Sequence, residues 1–329
     1  MEVAIKIHDL TKKYGGVRVV DHLNFEIYHG EIFSLLGPNG AGKTTTLLML
    51  TTVIKPTEGT AIIYGHDIRK EPDKVRELVG IAFQDPKLFW IQTPLDILMW
   101  HARVCGLRGD RARRKVEEVM KALNLWEARK EKAHYLSGGM RKRVEVAKVL
   151  IQEPKVAIFD EPTSEIDVAG RHFIWDSIRA LREKGSTIIL ATNNLYEADK
   201  LSDRVCIIHK GKVVALGKPK ELKDTIIGGE LIELNTDRNP PENTIKRIKQ
   251  LKNVIKVMTR GRNIRIYLNR AKEVAPKIIE VFHKDHVAVR SMSMTEPSLD
   301  DVFLYYTGST IKEVEGSGKG EPTENLAGS

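Results

Sequence analysis

Between two apolar stretches, Ile32–Leu36 and Thr44–Leu50, lies the segment Gly37-Pro38-Asn39-Gly40-Ala41-Gly42-Lys43-Thr44. It constrains the fold more than any other part of the 329-residue chain. The spacing G-x-x-x-x-G-K-T needs its glycines so that backbone N–H groups can turn inward around an anion. The continuous apolar run before it reads as a strand covered on both faces. Thr44–Leu50 reads as a helix whose N-terminus adds partial positive charge. Strand, glycine loop and helix in this order are the setting of a phosphate-binding loop. There Lys43 reaches the β- and γ-phosphates of a nucleotide, Thr44 offers its hydroxyl to Mg2+, and Thr45 is a further phosphate donor.

The pattern around this unit repeats its logic. Val3–Ile7 reads as a strand, and Leu23–Tyr28 alternates, with Leu23, Phe25 and Ile27 on one face. Val156–Phe159 and Thr187–Ala191 share the apolar character of Ile32–Leu36. Helical stretches separate them; in Met140–Ile151, the residues Met140, Val144, Ala147 and Ile151 share a face. Such alternation predicts an α/β fold with a largely parallel, helix-covered sheet over residues 1–217. Asp96–Lys132 is charged, helix-rich and without strand pattern, which predicts an inserted helical subdomain at about 86–135. Val205–Ile208 and Val213–Leu216 flank Lys210-Gly211-Lys212 as a closing hairpin.

Beyond Lys218-Pro219 the composition shifts. Residues 218–228 read as a linker and 229–307 as a small α+β accessory domain. Its strands are Leu231–Leu234, Val254–Met258, Ile264–Leu268 and Val287–Met292, and its helices Glu242–Leu251 and Ala271–Phe282. The order β-α-β-β-α-β is ferredoxin-like. Pro297 opens a short helix, Ser298–Tyr305. From Gly308 to Ser329 the chain turns to Gly, Ser, Glu, Pro and Asn, and this tail is expected to be disordered.

Composition excludes several classes. With 41% apolar and 29% charged residues, the chain is neither disordered nor fibrous. The longest uncharged runs, Ile32–Gly42 and Thr44–Ile54, are split by Lys43 and too short to span a bilayer. The N-terminus carries no apolar signal core, so the chain is expected to begin near Met1 and stay inside the cell. Cys105 and Cys206 make neither a disulfide scaffold nor a four-ligand zinc site. The net charge of +9 is compatible with nucleic acid, anionic lipid or a phosphorylated ligand. It forms no long basic block and reads mainly as solvated helix faces.

Two further motifs follow. Val156-Ala157-Ile158-Phe159-Asp160-Glu161 is a buried strand that delivers two carboxylates at its C-terminal end, where ligands gather in open α/β sheets. Asp160 suits a water-mediated hold on Mg2+, and Glu161 suits the acceptance of a proton from an attacking water. Leu136-Ser137-Gly138-Gly139-Met140 opens the helix Met140–Ile151 as an N-cap and an exposed ring of amides.

In order and spacing these motifs resemble the ATP-binding cassette (ABC) ATPases, over about residues 3–217. The resemblance implies the P-loop NTPase cassette fold and a set of site residues. The signature loop, Ser137, Gly138 and Gly139, lies in that family against ATP held by a second subunit. Tyr14 takes the place of the aromatic ring that stacks on adenine. Gln84 takes the place of the glutamine that senses Mg2+ and water and faces the membrane partner. Asp167 matches the aspartate that crosses the dimer interface, although Glu165 departs from the usual pattern beside it. The family's histidine after the strand Thr187–Ala191 is replaced by Asn193, which can donate a hydrogen bond but carries no charge. Asn194 beside it is a candidate substitute.

The segment Glu296-Pro297-Ser298-Leu299-Asp300-Asp301-Val302-Phe303 is similar to one that closes many drug-resistance and sodium-extrusion type cassettes. That implies an exporter ATPase working as a homodimer on a separately encoded integral-membrane permease, peripheral on the inner face of the cell membrane. ATP and Mg2+ are the implied cofactors, and no nucleic acid partner is expected. Two alternatives stand beside it. One is a slow-turnover, nucleotide-gated clamp with Asn193 as a brake. The other is a soluble, non-transport cassette acting on ribosomes or DNA; the usual second cassette or coiled-coil insertion of that class is missing here.

Overall fold

The computed structural model describes residues 2–225, 230–295, 297–311 and 314–315. The chain divides into two compact units on either side of the Leu216–Gly217 bond.

The first unit opens with β1 (Val3–Tyr14) and β2 (Val17–Tyr28), a long hairpin, followed by β3 (Ile32–Leu36) and α1 (Lys43–Leu50). Then come β4 (Glu58–Ile63), β5 (His66–Asp67), α2 (Pro72–Leu78) and β6 (Val79–Ala82). Helices α3 (Pro94–Val104) and α4 (Gly109–Ala122) form the inserted helical region, and α5 (Gly138–Gln152) leads out of it. The remaining elements are β7 (Val156–Asp160), α6 (Val168–Glu183), β8 (Thr187–Thr192), α7 (Leu195–Leu201), β9 (Arg204–His209) and β10 (Lys212–Gly217).

Two sheets result. One is antiparallel, in the order β2-β1-β4-β5; the other has six strands in the order β10-β9-β3-β8-β7-β6. In the second, β9, β3, β8, β7 and β6 run parallel. Its central strands divide their side chains between two cores. Ile32, Ala157, Phe159, Ile188 and Leu190 face the helical side. Phe33, Leu35, Ile158, Ile189 and Ala191 face the antiparallel sheet. Covering on both faces is why these strands are apolar at most positions.

The antiparallel sheet was not evident in the sequence as such. The Val3–Ile7 strand continues to Tyr14 through His8, Lys12 and Lys13, because β2 pairs with it out to Tyr14 and β4 adds partners at His8 and Thr11. The capping box of α3 uses Thr93 and Asp96, with Pro94 in the first turn, and fixes where the helical region begins.

The second unit contains α8 (Pro219–Asp224), β11 (Glu230–Thr236), α9 (Glu242–Lys249), β12 (Val254–Arg260), β13 (Asn263–Leu268), α10 (Ala271–Lys284), β14 (Val289–Thr295) and α11 (Leu299–Thr307). Its antiparallel sheet has the order β12-β13-β11-β14, the ferredoxin-like arrangement. Ile232, Leu234, Ile264 and Ile266 pack on Ile248, Ile278 and Phe282 of α9 and α10. The opposite face meets α11, where the Tyr267 hydroxyl donates to Asp301 and the Lys256 ammonium lies 4.0 Å from the Tyr305 ring centre.

Two expectations need correction here. The last strand is Val289–Thr295 rather than Val287–Met292: Val287 belongs to the helix-side core, and pairing with β11 runs on to Thr295. Order also does not stop at Gly308. That glycine caps α11 in the left-handed region, and Ile311 beyond it is buried. An apolar anchor therefore extends the ordered chain into the stretch expected to be disordered. Residues 316–329 of that tail, and 226–228 of the expected linker, lie outside the described residues.

Candidate nucleotide site

Four parallel strands deliver their C-terminal ends to one edge of the sheet. β3 ends in the loop 37–42, β8 leads to Asn193, β7 ends in Asp160 and Glu161, and β6 leads to Gln84. The register places Leu36 beside Thr192 and Asp160 beside Ala191.

The glycine loop is shaped by close approach. A Cβ on Gly37 would lie 2.3 Å from the carbonyl oxygen of Ile208. Gly42 has φ 101° and a Cβ there would lie 2.7 Å from the Val19 carbonyl, so only glycine fits. Lys43 then starts α1 with its side chain turned back: Nζ donates to Gly37 O at 2.8 Å and Pro38 O at 3.1 Å. Asn39, Gly40 and Thr44 are exposed, Thr45 is half-buried, and Pro38 and Ala41 are buried beneath the loop.

Around this loop the acidic strand end closes in. The Thr44 hydroxyl donates to Asp160 Oδ2 at 2.8 Å. Lys43 Nζ lies 3.5 Å from Glu161 Oε1, and Gln84 Nε2 donates to Glu161 Oε2 at 3.2 Å. Glu161 has φ 46°, an uncommon conformation for a residue with a side chain. Its N–H is held by Ala191 O at 2.8 Å, and this turn swings the carboxylate from the end of β7 towards Lys43. Burial pushes the Asp160 carboxyl above its ordinary range, with the Thr44 hydrogen bond pulling the other way.

Asp160 Oδ1 is buried and has no hydrogen-bond partner among the described residues. A lone carboxylate oxygen beside a threonine hydroxyl and a glutamine is a hard oxygen set that suits Mg2+. The residues present therefore fit that ion, which Thr44, Gln84 and Asp160 would hold.

The other expected site residues lie apart from this group. Ser137 caps α5 through the Met140 N–H at 3.2 Å, and Ser137 and Gly138 are exposed. Among the described residues no hydrogen bond joins the 137–139 loop to residues 37–45. Gly139 instead neighbours Ile166, 3.7 Å from where a Cβ would stand. Asp167 caps α6 by accepting the Gly170 N–H and is exposed, as is Glu165. Tyr14 sits at the end of β1, 49% exposed, with the Lys12 ammonium 5.1 Å from its ring centre. Asn193 is half-buried. Asn194 is committed elsewhere: its Oδ1 accepts the Tyr196 and Glu197 N–H groups and caps α7.

One neighbour was not singled out in the sequence. Lys142, buried on α5, donates to the backbone carbonyl of Gln84. Desolvation lowers its pKa, while Glu161, Asp160, Asp85 and Glu145 favour its charge. Its signal was its place three residues after Gly139, but a lysine in a basic helix reads as a solvated side chain.

Comparison with known proteins agrees with this geometry. Residues 20–164 match the ABC transporter family, and residues 217–307 match the C-terminal domain of ATP-binding protein DrrA1-3-like chains. The daunorubicin/doxorubicin resistance ATP-binding protein DrrA of Streptomyces peucetius is 34% identical, covering 93% of this chain and 92% of that one. The Nod factor export ATP-binding protein I of Cupriavidus metallidurans is 33% identical over 95% of this chain and 100% of its own. Among solved structures, a dimeric ATP-binding cassette in a post-hydrolysis state bound to ADP and Pi superposes with a TM-score of 0.61. It is 27% identical and covers 65% of this chain and 98% of that one. Similarity that runs through both units of the chain, and not through the phosphate loop alone, shows that the chain belongs to the ABC transporter family as an ATP-binding subunit, an ABC ATPase of the drug-resistance and export type.

Proposed function

We propose that two copies of this chain close head to tail around ATP, each site taking loop 37–45, Gln84, Asp160 and Glu161 from one copy and Ser137–Gly139 from the other. The observation that carries this reading is the split just described. The phosphate loop and acidic strand end form one cluster, while Ser137 and Gly138 are exposed and, among the described residues, no hydrogen bond joins the signature loop to that cluster. The dimeric, ADP- and Pi-bound relative supports it.

In that assembly the loop amides and Lys43 bind the phosphates, and Tyr14 stacks on the base. Glu161, oriented by Gln84 and faced by Lys43, takes the proton of the attacking water. Thr44, Asp160 and Gln84 hold Mg2+, which neutralises charge on the β- and γ-phosphate oxygens when bound. Asn193 donates one neutral hydrogen bond where the family's histidine stands. Asp167 lies at the subunit contact.

The work of closure is delivered to a separate membrane permease. No helix among the described residues is long and apolar enough to cross a membrane. Past Gln84 the helical region carries a run of exposed apolar side chains: Phe89, Trp90 and Ile91, with Trp100 and Val104 on α3. A patch of this kind suits a partner surface and supports docking of the permease there, on the cytoplasmic side. A second reading, a clamp with slow turnover, is favoured by one observation: Asn194 caps α7, which leaves Asn193 alone to replace the histidine.

Mixing tests the composite site. Lys43→Ala and Ser137→Arg chains should each be inactive as ATPases. Their equimolar mixture contains heterodimers with one intact site and should recover activity. A mixture as inactive as its parts, beside an active wild type, would contradict the head-to-tail arrangement.

A further inference from the structure

We infer that Glu197 is a positioning residue that fixes the loop bearing Asn193 relative to the segment Thr163–Asp167; this rests on the proposed ATPase site. Glu197 lies on the first turn of α7 and is fully buried. A carboxylate in such a place needs donors, and three come from three different elements. Thr163 Oγ1, just after Glu161, donates to Oε1 at 2.8 Å. Trp175 Nε1, on α6, donates to the same oxygen at 2.9 Å. Thr192 Oγ1, at the end of β8, donates to Oε2 at 2.7 Å.

The Thr192 arm leads straight to the site. Its hydroxyl accepts the Asn194 N–H at 3.0 Å, and its carbonyl accepts the Gly37 N–H at 3.3 Å. Asn193 thus sits between two residues whose backbone and side chains are tied down. The Thr163 arm leads to the other side. The Ser164 hydroxyl and N–H both return to Glu161 O, at 3.0 and 3.2 Å, and the Ile166 N–H returns to Thr163 O. That short turn runs from Glu161 to Asp167. One carboxylate therefore joins the residue that faces the γ-phosphate in the proposed site to the turn that starts at the proton acceptor and ends at the subunit contact. Three donors from three elements on one buried side chain make the tie stiff. The Trp175 arm ties α6 to the same carboxylate oxygen, and its ring packs 5.9 Å from that of Tyr196 on α7.

The Thr163 and Trp175 arms can be cut separately. Thr163→Val keeps shape and removes one donor; Thr163→Ala, which leaves room for a water, is a second variant should valine impair folding. Thr163→Ser restores the donor. Steady-state ATPase and ATP affinity are read beside thermal melts for these and for Trp175→Phe. The expected result is a fall in kcat of about tenfold for Thr163→Val or Thr163→Ala with KM and ATP affinity within about twofold, and recovery in Thr163→Ser. Trp175→Phe should lower the melting temperature and leave kcat within about twofold. The inference is overturned if the Thr163 variants keep wild-type kcat, or if kcat falls in all variants in step with melting temperature. A wild-type chain that neither binds nor hydrolyses ATP would overturn the proposed function instead.

Discussion

The ammonium of Lys43 lies 3.5 Å from the carboxylate of Glu161, and both side chains are buried. The proposed phosphate-binding cation and the proposed proton acceptor thus form an ion pair. Phosphates arriving at loop 37–45 compete with Glu161 for the same ammonium, and they meet a buried negative charge as they do so. Glu161→Gln keeps the side chain's size and removes that charge. It should raise ATP affinity roughly tenfold, measured by titration below the concentration at which copies associate. Lys43→Ala should do the reverse, weakening binding about a hundredfold through loss of charge-assisted contacts. A Glu161→Gln chain with weakened binding would show that the pair does not oppose nucleotide.

The raised pKa of Asp160 gives a pH signature. A carboxyl whose pKa is higher in the folded chain favours folding while it is protonated. That contribution is full below the ordinary carboxylate range and is lost as pH rises through the folded value. Asp160→Asn keeps an acceptor for Thr44 and has no charge to bury. In melts without nucleotide, the variant's advantage over wild type should grow with pH from about 4 upward and then level off. Mg2+ needs the ionised form, so the same variant should weaken the Mg2+ dependence of ATP binding about 10- to 100-fold. An advantage that shrinks with rising pH would contradict the assignment of cause.

Asn193→His should restore a donor that can carry charge at the γ-phosphate. We expect kcat to rise roughly tenfold with little change in KM, the mark of an interaction made mainly in the transition state. The measurement is steady-state ATPase of both proteins with the permease present. Unchanged or lower kcat in a folded variant would show that Asn193 is no brake.

The second unit should be dispensable for nucleotide binding. Its core of Ile232, Leu234, Ile264, Ile266, Ile278 and Phe282 is its own, and no proposed site residue lies in it. A chain ending at Lys220 should bind ATP within about twofold of the full chain by calorimetry. A soluble, folded truncation without ATP binding would refute this.

Sequence and structure meet unevenly across these residues. The glycine loop was legible because its determinants are contiguous: Gly37, Gly42, Lys43 and Thr44 each act through backbone or side chain within one turn. The parallel strands were legible because covering on both faces makes most positions apolar. Lys142 and Glu197 were not, because what defines them is three-dimensional. Lys142 meets Gln84 across 58 residues, and the donors to Glu197 come from 5, 22 and 34 residues away. The polar half of β1 was hidden for the same reason, since pairing with β2 out to Tyr14, and with β4 at His8 and Thr11, is what keeps it in the sheet. In β14, Ser291-Met292-Ser293-Met294 carries no β-branched or aromatic signal, and its pairing with β11 decides the register. Ile311, apolar within a largely polar stretch, is buried, which composition alone does not indicate.

The central claim is that ATP brings two copies together across Ser137–Gly139 and loop 37–45, and light scattering of Glu161→Gln with Mg2+ and ATP tests it most directly. The account predicts a species of twice the chain mass that appears only with ATP and is abolished by adding Ser137→Arg to the same chain. A single-chain mass at saturating ATP and high protein concentration, or a dimer indifferent to Ser137→Arg, would contradict it.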